Sequence, residues 1–192
     1  MSVNYDTLAP GYFNYRVADA RIEVAIRRHI VPGDKVLNVG GGQGSYEPAD
    51  CDVTAVEPSI EMIARRAATK AKALQASAEE LPFDDNSFDT SLAILTIHHW
   101  RAVEKGLREL KRVTRGKIIV LTWNGDFGDF WLPDYLPEIA GIDVNLFPSV
   151  VQLSEWLGPN TTTEVLEIPY DCPGSPCRAA LAARQSRFSR SR

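Results

Sequence analysis

Residues 35–44 of the chain read KVLNVGGGQG. The first five residues form a short apolar run that is typical of a buried parallel strand. Glycine then recurs at Gly40, Gly42 and Gly44, where the missing Cβ lets the backbone turn sharply and lets a ligand approach closely. The stretch therefore predicts a strand that leads directly into a ligand-binding loop.

Outward from this stretch, strand-like and helix-like periodicities alternate. Further strands are predicted over residues 53–56, 73–75, 88–96, 117–122 and 163–168. Helices are predicted over residues 17–30 with Asp19 as the N-cap, after Ser59 as far as Ala67, over residues 101–113, and over residues 149–157 before Gly158. Strand–helix alternation with apolar strands predicts an α/β fold: a doubly wound, mostly parallel sheet with helices on both faces.

The composition excludes several classes of protein. The 192 residues are 44% hydrophobic and 24% charged, as in an ordinary globular protein. No apolar run approaches the roughly 20 residues of a membrane span, and the first residues lack the pattern of a signal peptide, so we expect no membrane partner. Three cysteines form an odd, sparse set, which favours a reduced, cytoplasmic setting.

Charge is distributed unevenly along the chain. The net charge is −4, but five arginines after residue 177 leave a net charge of −9 on the rest. An acidic body has no basic face to follow phosphates, so we expect no nucleic-acid partner.

The acidic residue Glu57 ends the second predicted strand, where its carboxylate could accept two hydrogen bonds from a ribose diol. The alternative is that it only caps the helix that follows Ser59. The loop itself lacks the Gly-Lys-Ser/Thr of a phosphate-binding loop, since Gly44 is followed by Ser45. Ser45 also stands where a dinucleotide-binding loop would need glycine. A nucleoside without a pyrophosphate therefore fits this spacing better.

Two histidines, His98 and His99, follow the fourth predicted strand at the edge where α/β sheets bind ligands. In an extended stretch their side chains would point to opposite sides, so we expect no metal site. His98 is predicted either to contact a ligand or to shape the loop by hydrogen bonding.

These residues resemble the class I S-adenosylmethionine-dependent methyltransferases, in the small-molecule branch of ubiquinone and menaquinone biosynthesis. The resemblance extends over about residues 5–170. It rests on five blocks in the family's order: VLNVGGGQG (36–44), AVEPS (55–59), AEELPF (78–83), SFD (87–89) and IHHW (97–100). They are followed by GLRELKRV (106–113), which resembles the family's usual helix between the fourth and fifth strands.

The resemblance implies a bound S-adenosylmethionine and a set of residues that hold it. The implied cofactor-binding residues are Tyr12, Arg16, Asn38, Gly40, Gly42, Gly44, Glu57, Pro58, Ser59, Ser77, Ala78 and Glu79. Arg16 would pair with the methionine carboxylate, although its segment could also simply pack on the surface. His98 is the implied catalytic residue.

Two positions depart from the family pattern. Asn38 stands where an Asp or Glu is usual, and Ser77 stands where an Asp is usual. Each keeps an acceptor oxygen but loses a negative charge, so the expectation is weaker cofactor binding. Asn38→Asp is accordingly expected to strengthen it.

The implied activity is methyl transfer to an O, N or C atom of a small-molecule acceptor. The alternatives are a non-catalytic S-adenosylmethionine-binding module, a truncated inactive methyltransferase and, more distantly, a dehydrogenase.

Domain boundaries follow from the same reasoning. We expect a single domain over residues 1–170, an aromatic insertion near the active site at residues 126–147, and a disordered basic tail at residues 171–192. Nothing after residue 170 alternates like a strand, so the family's last antiparallel strand would be missing. The fifth strand would then expose an edge prone to self-association.

Overall fold

A computed structural model describes residues 18–123 and 146–166 of the protein. In this part of the chain, five strands form one sheet. They are β1 (Lys35–Val39), β2 (Asp52–Val56), β3 (Ala73–Leu74), β4 (Phe88–Ile94) and β5 (Thr114–Leu121). The predicted doubly wound, mostly parallel α/β fold is confirmed.

All strand pairs are parallel, in the order β3-β2-β1-β4-β5. The chain moves outward from β1 through β2 to β3 and then returns to the other side of β1 as β4. Strand order therefore reverses beside β1. In open α/β sheets, ligands bind at the carboxyl ends of the strands at such a reversal.

Four α-helices surround the sheet in the described residues. They are α1 (Ala20–Arg27), α2 (Ile60–Ala64), α3 (Val103–Val113) and α4 (Val150–Leu157). The predicted N-cap Asp19 is confirmed, since its carboxylate accepts a hydrogen bond from the Arg21 N–H. Ser59 caps α2, and a reciprocal pair of hydrogen bonds between Ser149 and Gln152 starts α4.

Helices cover both faces of the sheet because β1 is apolar on both sides. On one face, Leu37 packs in a cluster with Leu107 and Leu110 of α3. On the other face, Val36 packs with Ile22 of α1. The two apolar layers hold β1 in the centre of the fold and thereby fix the position at which its glycine loop leaves the sheet.

Several predicted bounds need correction. β4 stops at Ile94 because Leu95 adopts a left-handed conformation with φ of +52°. β5 begins at Thr114, three residues before its predicted start. The added residues pair with β4 through a bulge, where Gly116 lies so close to the Asp89 carbonyl that a Cβ on Gly116 would clash. α2 ends at Ala64, with Arg65 as its C-cap, and does not reach Ala67.

The sixth predicted strand is not found in the part of it that the structure describes, residues 163–166. Glu164 forms an ion pair with Arg28 there, and Leu166 packs against the α1-side cluster. This segment is therefore held by side-chain contacts next to α1 instead of by pairing with a neighbouring strand.

Three predictions lie outside the described residues: most of the insertion at 126–147, the tail at 171–192 and the N-terminal segment that carries Tyr12 and Arg16. No helix within residues 18–123 and 146–166 has the length and apolarity needed to span a membrane.

Candidate functional site

The glycine loop leaves the carboxyl end of β1 and is tied to β2. The N–H groups of Gly40 and Gly41 both donate to the Val56 carbonyl, at 2.8 and 3.2 Å. Gly40 has φ of +68°, and a Cβ there would overlap the Thr96 side chain. Glycine is therefore required at position 40 by both backbone conformation and close packing.

Glu57 lies at the end of β2 and is only 6% exposed. Its Oε2 accepts a hydrogen bond from the Gly42 N–H at 2.9 Å, and its Oε1 accepts one from the Ser59 N–H at 3.0 Å. The carboxylate therefore joins the glycine loop to the start of α2. Both roles weighed from the sequence are compatible with this position, since the group binds the N–H of Ser59, the N-cap of α2, and also lies at the carboxyl end of β2.

A buried polar network that the sequence analysis missed supports the loop. Asn38 Nδ2 donates to Glu47 Oε1 at 3.0 Å, and Arg66 forms an ion pair with the same carboxylate at 2.5 Å. The side chains of Arg66 and Glu47 are 5% and 4% exposed. A buried charge needs a partner, so each of these two groups requires the other.

The sequence carries only a faint signal for this pair. Glu47 is a single acid in a short loop, and Arg66 is the second of two adjacent arginines near α2. Arg65, its neighbour, is exposed and forms an ion pair with Glu61 at 3.5 Å. No local pattern distinguishes the buried arginine from the exposed one.

The network adds a contact to the interpretation of Asn38. Its side chain was expected to offer an acceptor oxygen in place of a lost carboxylate, and its nitrogen also donates a hydrogen bond to Glu47. A negative charge lies beside position 38 on Glu47, where it forms an ion pair with Arg66. The expectation that Asn38→Asp strengthens binding does not include this donor, which an aspartate would lose.

The loop after β3 holds the next predicted residues. Ala78 is buried in the core, and Ser77 is exposed. Glu79 Oε1 accepts a hydrogen bond from the Ala102 N–H at 3.1 Å. Burial would raise the pKa of Glu79, but hydrogen bonds from the Ala102 backbone and from Ser77 outweigh it and hold the pKa below its usual value. In this structure, the Glu79 carboxylate thus fastens the loop to the segment before α3.

A second clamp holds the same loop further along. Arg112 of α3 donates to the carbonyls of Leu81 and Phe83 at 3.0 and 2.7 Å, and it pairs with Glu109 at 2.8 Å. The Arg112 guanidinium is the main reason that the pKa of Glu109 lies below its usual range. The loop beside the ligand-binding edge is therefore fixed at both ends.

His98 lies at the carboxyl end of β4, but the expected extended conformation is wrong. Ile97–His99 form a 3₁₀ turn, and the rings of His98 and His99 lie side by side with centroids 3.8 Å apart. The His98 ring also packs on Phe147, at 4.6 Å. Within the described ranges, no group of three or more His, Cys, Asp or Glu side chains could hold a metal ion.

Trp100 packs against the core rather than lying free at the edge. A Cβ on Gly106 of α3 would lie 2.5 Å from the Trp100 ring.

Pro58 is exposed beside Glu57.

These residues fit the adenosyl part of S-adenosylmethionine. Gly40, Gly42 and Gly44 all have positive φ, a conformation that L side chains rarely adopt and glycine adopts readily. Glu57 presents a buried carboxylate next to this loop, and each oxygen of a carboxylate can accept more than one hydrogen bond. A ribose diol supplies the two donors that such a group binds.

Comparison with known proteins gives the same family over most of this sheet. The family model for the methyltransferase domain matches residues 37–120. A demethylmenaquinone methyltransferase of Renibacterium salmoninarum is 32% identical over 140 residues, which cover 65% of this chain and 59% of the relative. An uncharacterized methyltransferase of Mycobacterium bovis is 36% identical over 144 residues, which cover 71% and 57%. The chain thus spans less than two thirds of the length of these curated relatives.

Solved structures agree with the fold. The crystal structure of a methyltransferase from an antibiotic biosynthesis pathway of Anabaena variabilis has a TM-score of 0.68 at 32% identity. The match covers 74% of this chain and 61% of that one. With their sheet order, their glycine loop and the Glu57 carboxylate, residues 37–120 form a methyltransferase domain of the class I S-adenosylmethionine-dependent family.

Proposed function

We propose that the protein binds S-adenosylmethionine at the carboxyl ends of β1 and β2 and transfers its methyl group to a small molecule. One observation carries the proposal: Gly42 N–H and Glu57 Oε2 meet at 2.9 Å, so the loop that admits a ligand and the carboxylate that recognises a ribose form one unit. Family membership supports the same cofactor.

The chain's own residues bind and orient the cofactor in this proposal. Glu57 accepts the ribose hydroxyls, and Gly40, Gly42 and Gly44 let the backbone pass close to the ligand. Ser59 fixes Glu57 from the other side at 3.0 Å. The sulfonium supplies an already activated methyl group, so the protein mainly contributes orientation and exclusion of water.

Further contacts proposed for the cofactor are Pro58, Ser77, Ala78 and Glu79 beside the adenine. Tyr12 and Arg16 are proposed at the methionine end, where a guanidinium pairs well with a carboxylate.

For the acceptor, we propose a small molecule with an aromatic ring. Support comes from the aromatic side chains at the carboxyl end of β4, where His98 packs on Phe147 at 4.6 Å. The Renibacterium relative is named for a quinone substrate, demethylmenaquinone. His98 is proposed to hydrogen-bond the acceptor, and the setting is proposed to be cytoplasmic.

Ultraviolet cross-linking of methyl-tritiated S-adenosylmethionine to the full chain tests the cofactor site. We expect labelling that excess S-adenosylhomocysteine suppresses and that Glu57→Gln largely abolishes. Glu61→Gln, on the exposed side of α2, is the matched control and should label like the wild type. Equal labelling of the wild type and Glu57→Gln would contradict the proposed site.

Transfer of the tritiated methyl group to a panel of phenols, hydroquinones and aromatic amines tests the reaction. Label recovered in one of these products supports an enzyme with an aromatic acceptor. Specific cofactor binding without transfer to any acceptor class would favour the alternative of a binding module without catalysis.

A further inference from the structure

The side chain of Arg66 makes a dense set of contacts beneath the glycine loop. Its guanidinium donates to the Gly42 carbonyl at 2.7 Å, to the Gly41 carbonyl at 3.3 Å and to the Ala71 carbonyl at 3.0 Å. It also pairs with Glu47 at 2.5 Å. Since only 5% of the side chain is exposed, these contacts are shielded from water.

One peptide unit connects this arginine to the proposed ribose carboxylate. The carbonyl of Gly41 and the N–H of Gly42 belong to the same planar group. Arg66 binds its carbonyl end, and Glu57 Oε2 accepts from its N–H end at 2.9 Å. These two contacts fix the orientation of the peptide plane. They also fix the hydrogen bond from the Gly42 N–H, which helps to orient the Glu57 carboxylate.

Glu47 in turn holds the arginine in place. Its carboxylate accepts hydrogen bonds from Asn38 Nδ2 at 3.0 Å and from the Ala71 N–H at 3.3 Å, in addition to the ion pair. A Cβ at Gly44 would lie 2.9 Å from Glu47 Oε2. The third glycine of the loop thus makes room for the carboxylate as well as for a turn.

We propose that Arg66, held by Glu47, is a positioning residue for cofactor binding. It fixes the plane of the Gly41–Gly42 peptide and, through it, the glycine loop and the Glu57 carboxylate, before the adenosyl group binds. This inference rests on the proposed function. Arg66 acts through the loop and does not touch the ligand.

The guanidinium geometry is essential to this role. A guanidinium presents five donors in a planar fork, whereas an ammonium is a single point charge with three. Arg66→Lys keeps the charge that Glu47 needs but cannot reach the carbonyls of Gly41, Gly42 and Ala71 together. Arg65→Lys is the matched control, since Arg65 is exposed and forms an ion pair with the exposed Glu61.

Isothermal titration with S-adenosylmethionine, S-adenosylhomocysteine and adenosine tests the proposal on the full chain. For Arg66→Lys we expect all three dissociation constants to rise by about tenfold, the effect of losing a charge-assisted hydrogen bond. The rise should be equal because all three ligands share the adenosyl group that the loop positions. Arg65→Lys should stay within about twofold of the wild type for each ligand.

Hydrogen exchange of the Gly42 amide in the ligand-free protein is the second readout. In Arg66→Lys it should exchange faster than in the wild type, while the buried β1 amides keep their protection and show that the sheet is intact. Should Arg66→Lys not fold, Glu47→Gln, which leaves the arginine without its charged partner, is expected to give the same faster exchange and the same equal loss of affinity.

Unchanged affinities in Arg66→Lys, with the wild type binding normally, would overturn the positioning role and leave the proposed function standing. A loss confined to S-adenosylmethionine would also overturn it, since that result indicates a charge effect on the sulfonium. Absence of binding to the folded wild type would overturn the proposed function and this inference with it.

Discussion

Asn38 Nδ2 donates a hydrogen bond to Glu47 Oε1 across 3.0 Å, and both side chains are buried beneath the glycine loop. The end of β1 thus contacts a carboxylate that comes from a position nine residues further along the chain. Because Arg66 pairs with that carboxylate, the loop is supported by a neutral polar network. A network of this kind stabilises the fold only while every member has its partner.

Asn38→Asp is predicted to weaken cofactor binding and to lower the free energy of unfolding by about 1–3 kcal/mol, the cost of leaving a buried group unsatisfied. The new carboxylate would face Glu47, and the pKa of one of the pair would rise because two like charges would lie close together. A raised pKa in the folded state means that stability is lost as the pH rises through it. The destabilisation should therefore be larger at about pH 8 than at about pH 5.

Urea unfolding of the wild type and Asn38→Asp at both pH values measures this effect, and titration with S-adenosylhomocysteine measures the affinity. Asn38→Ala removes the donor to Glu47 without adding a charge, so it should destabilise by an amount that does not change with pH. Tighter binding by Asn38→Asp would show that the amide is not required as a donor.

Gly40→Ala is predicted to destabilise the protein more than Gly33→Ala. Both glycines have positive φ, +68° and +87°, so each alanine costs about 1–2 kcal/mol in backbone strain. Only at position 40 would the new Cβ also overlap Thr96, since nothing lies within 4 Å of a Cβ at position 33. The overlap adds about 1–3 kcal/mol.

Thermal and urea unfolding of the two variants measure the difference. Gly40→Ala should also lose affinity for S-adenosylhomocysteine, whereas Gly33→Ala should bind like the wild type. Equal effects of the two substitutions on both quantities would mean that the contact with Thr96 is not close in solution.

His98→Phe is predicted to lower kcat/KM for methyl transfer by about tenfold, the effect of losing one hydrogen bond to the acceptor. Phenylalanine keeps an aromatic ring next to Phe147, so the packing should survive. The affinity for S-adenosylmethionine should stay within about twofold. His99→Phe is the companion variant, and full activity in both would assign His98 a purely structural role.

Glu79→Gln is predicted to reduce the pH dependence of stability. The pKa of Glu79 lies below its usual value in the folded protein, so its ionised form stabilises the fold at neutral pH. That contribution is lost as the pH falls through the lowered pKa. The gap in unfolding free energy between wild type and variant should therefore narrow from about pH 7 to about pH 3.

Urea unfolding at several pH values measures this difference in unfolding free energy between the wild type and Glu79→Gln. Glu80→Gln, at the exposed neighbouring position, is the companion variant that removes one carboxylate elsewhere in the same loop. If the difference in unfolding free energy between the wild type and Glu79→Gln stayed constant with pH, this result would contradict the presence in solution of the hydrogen bond from Ala102 to Glu79.

Self-association through β5 is predicted from the sheet order. Among residues 18–123 and 146–166, no strand pairs with the outer edge of β5. An edge of eight residues offers unpaired N–H and C=O groups to another chain. Sedimentation velocity should give a weight-average mass that rises with concentration above the monomer mass of 21.3 kDa. A constant monomer mass at all concentrations would contradict this prediction.

The central sheet could be predicted from the sequence because its signals are local. The run at residues 35–39, the glycines after it and Asp19 as a cap each depend on neighbouring residues, and the structure has all three. The position of Glu57 directly after β2 could be predicted for the same reason, since the end of that strand is visible in the sequence.

The features that could not be predicted depend on contacts between distant segments. Arg66 is buried and Arg65 is exposed only because α2 packs its C-terminal end against the loop that carries Glu47. The 3₁₀ turn at His98 follows from the left-handed conformation of Leu95, which no residue preference indicates. The early start of β5 depends on how closely Gly116 approaches Asp89.

If the glycine loop and Glu57 form one adenosyl-binding unit, calorimetric titration of the full chain with S-adenosylhomocysteine should detect it. We expect binding at one site per chain with a dissociation constant of about micromolar order, and at least a tenfold loss in Glu57→Gln. Heats indistinguishable from dilution at about 1 mM ligand, with circular dichroism showing a folded wild-type protein, would contradict it.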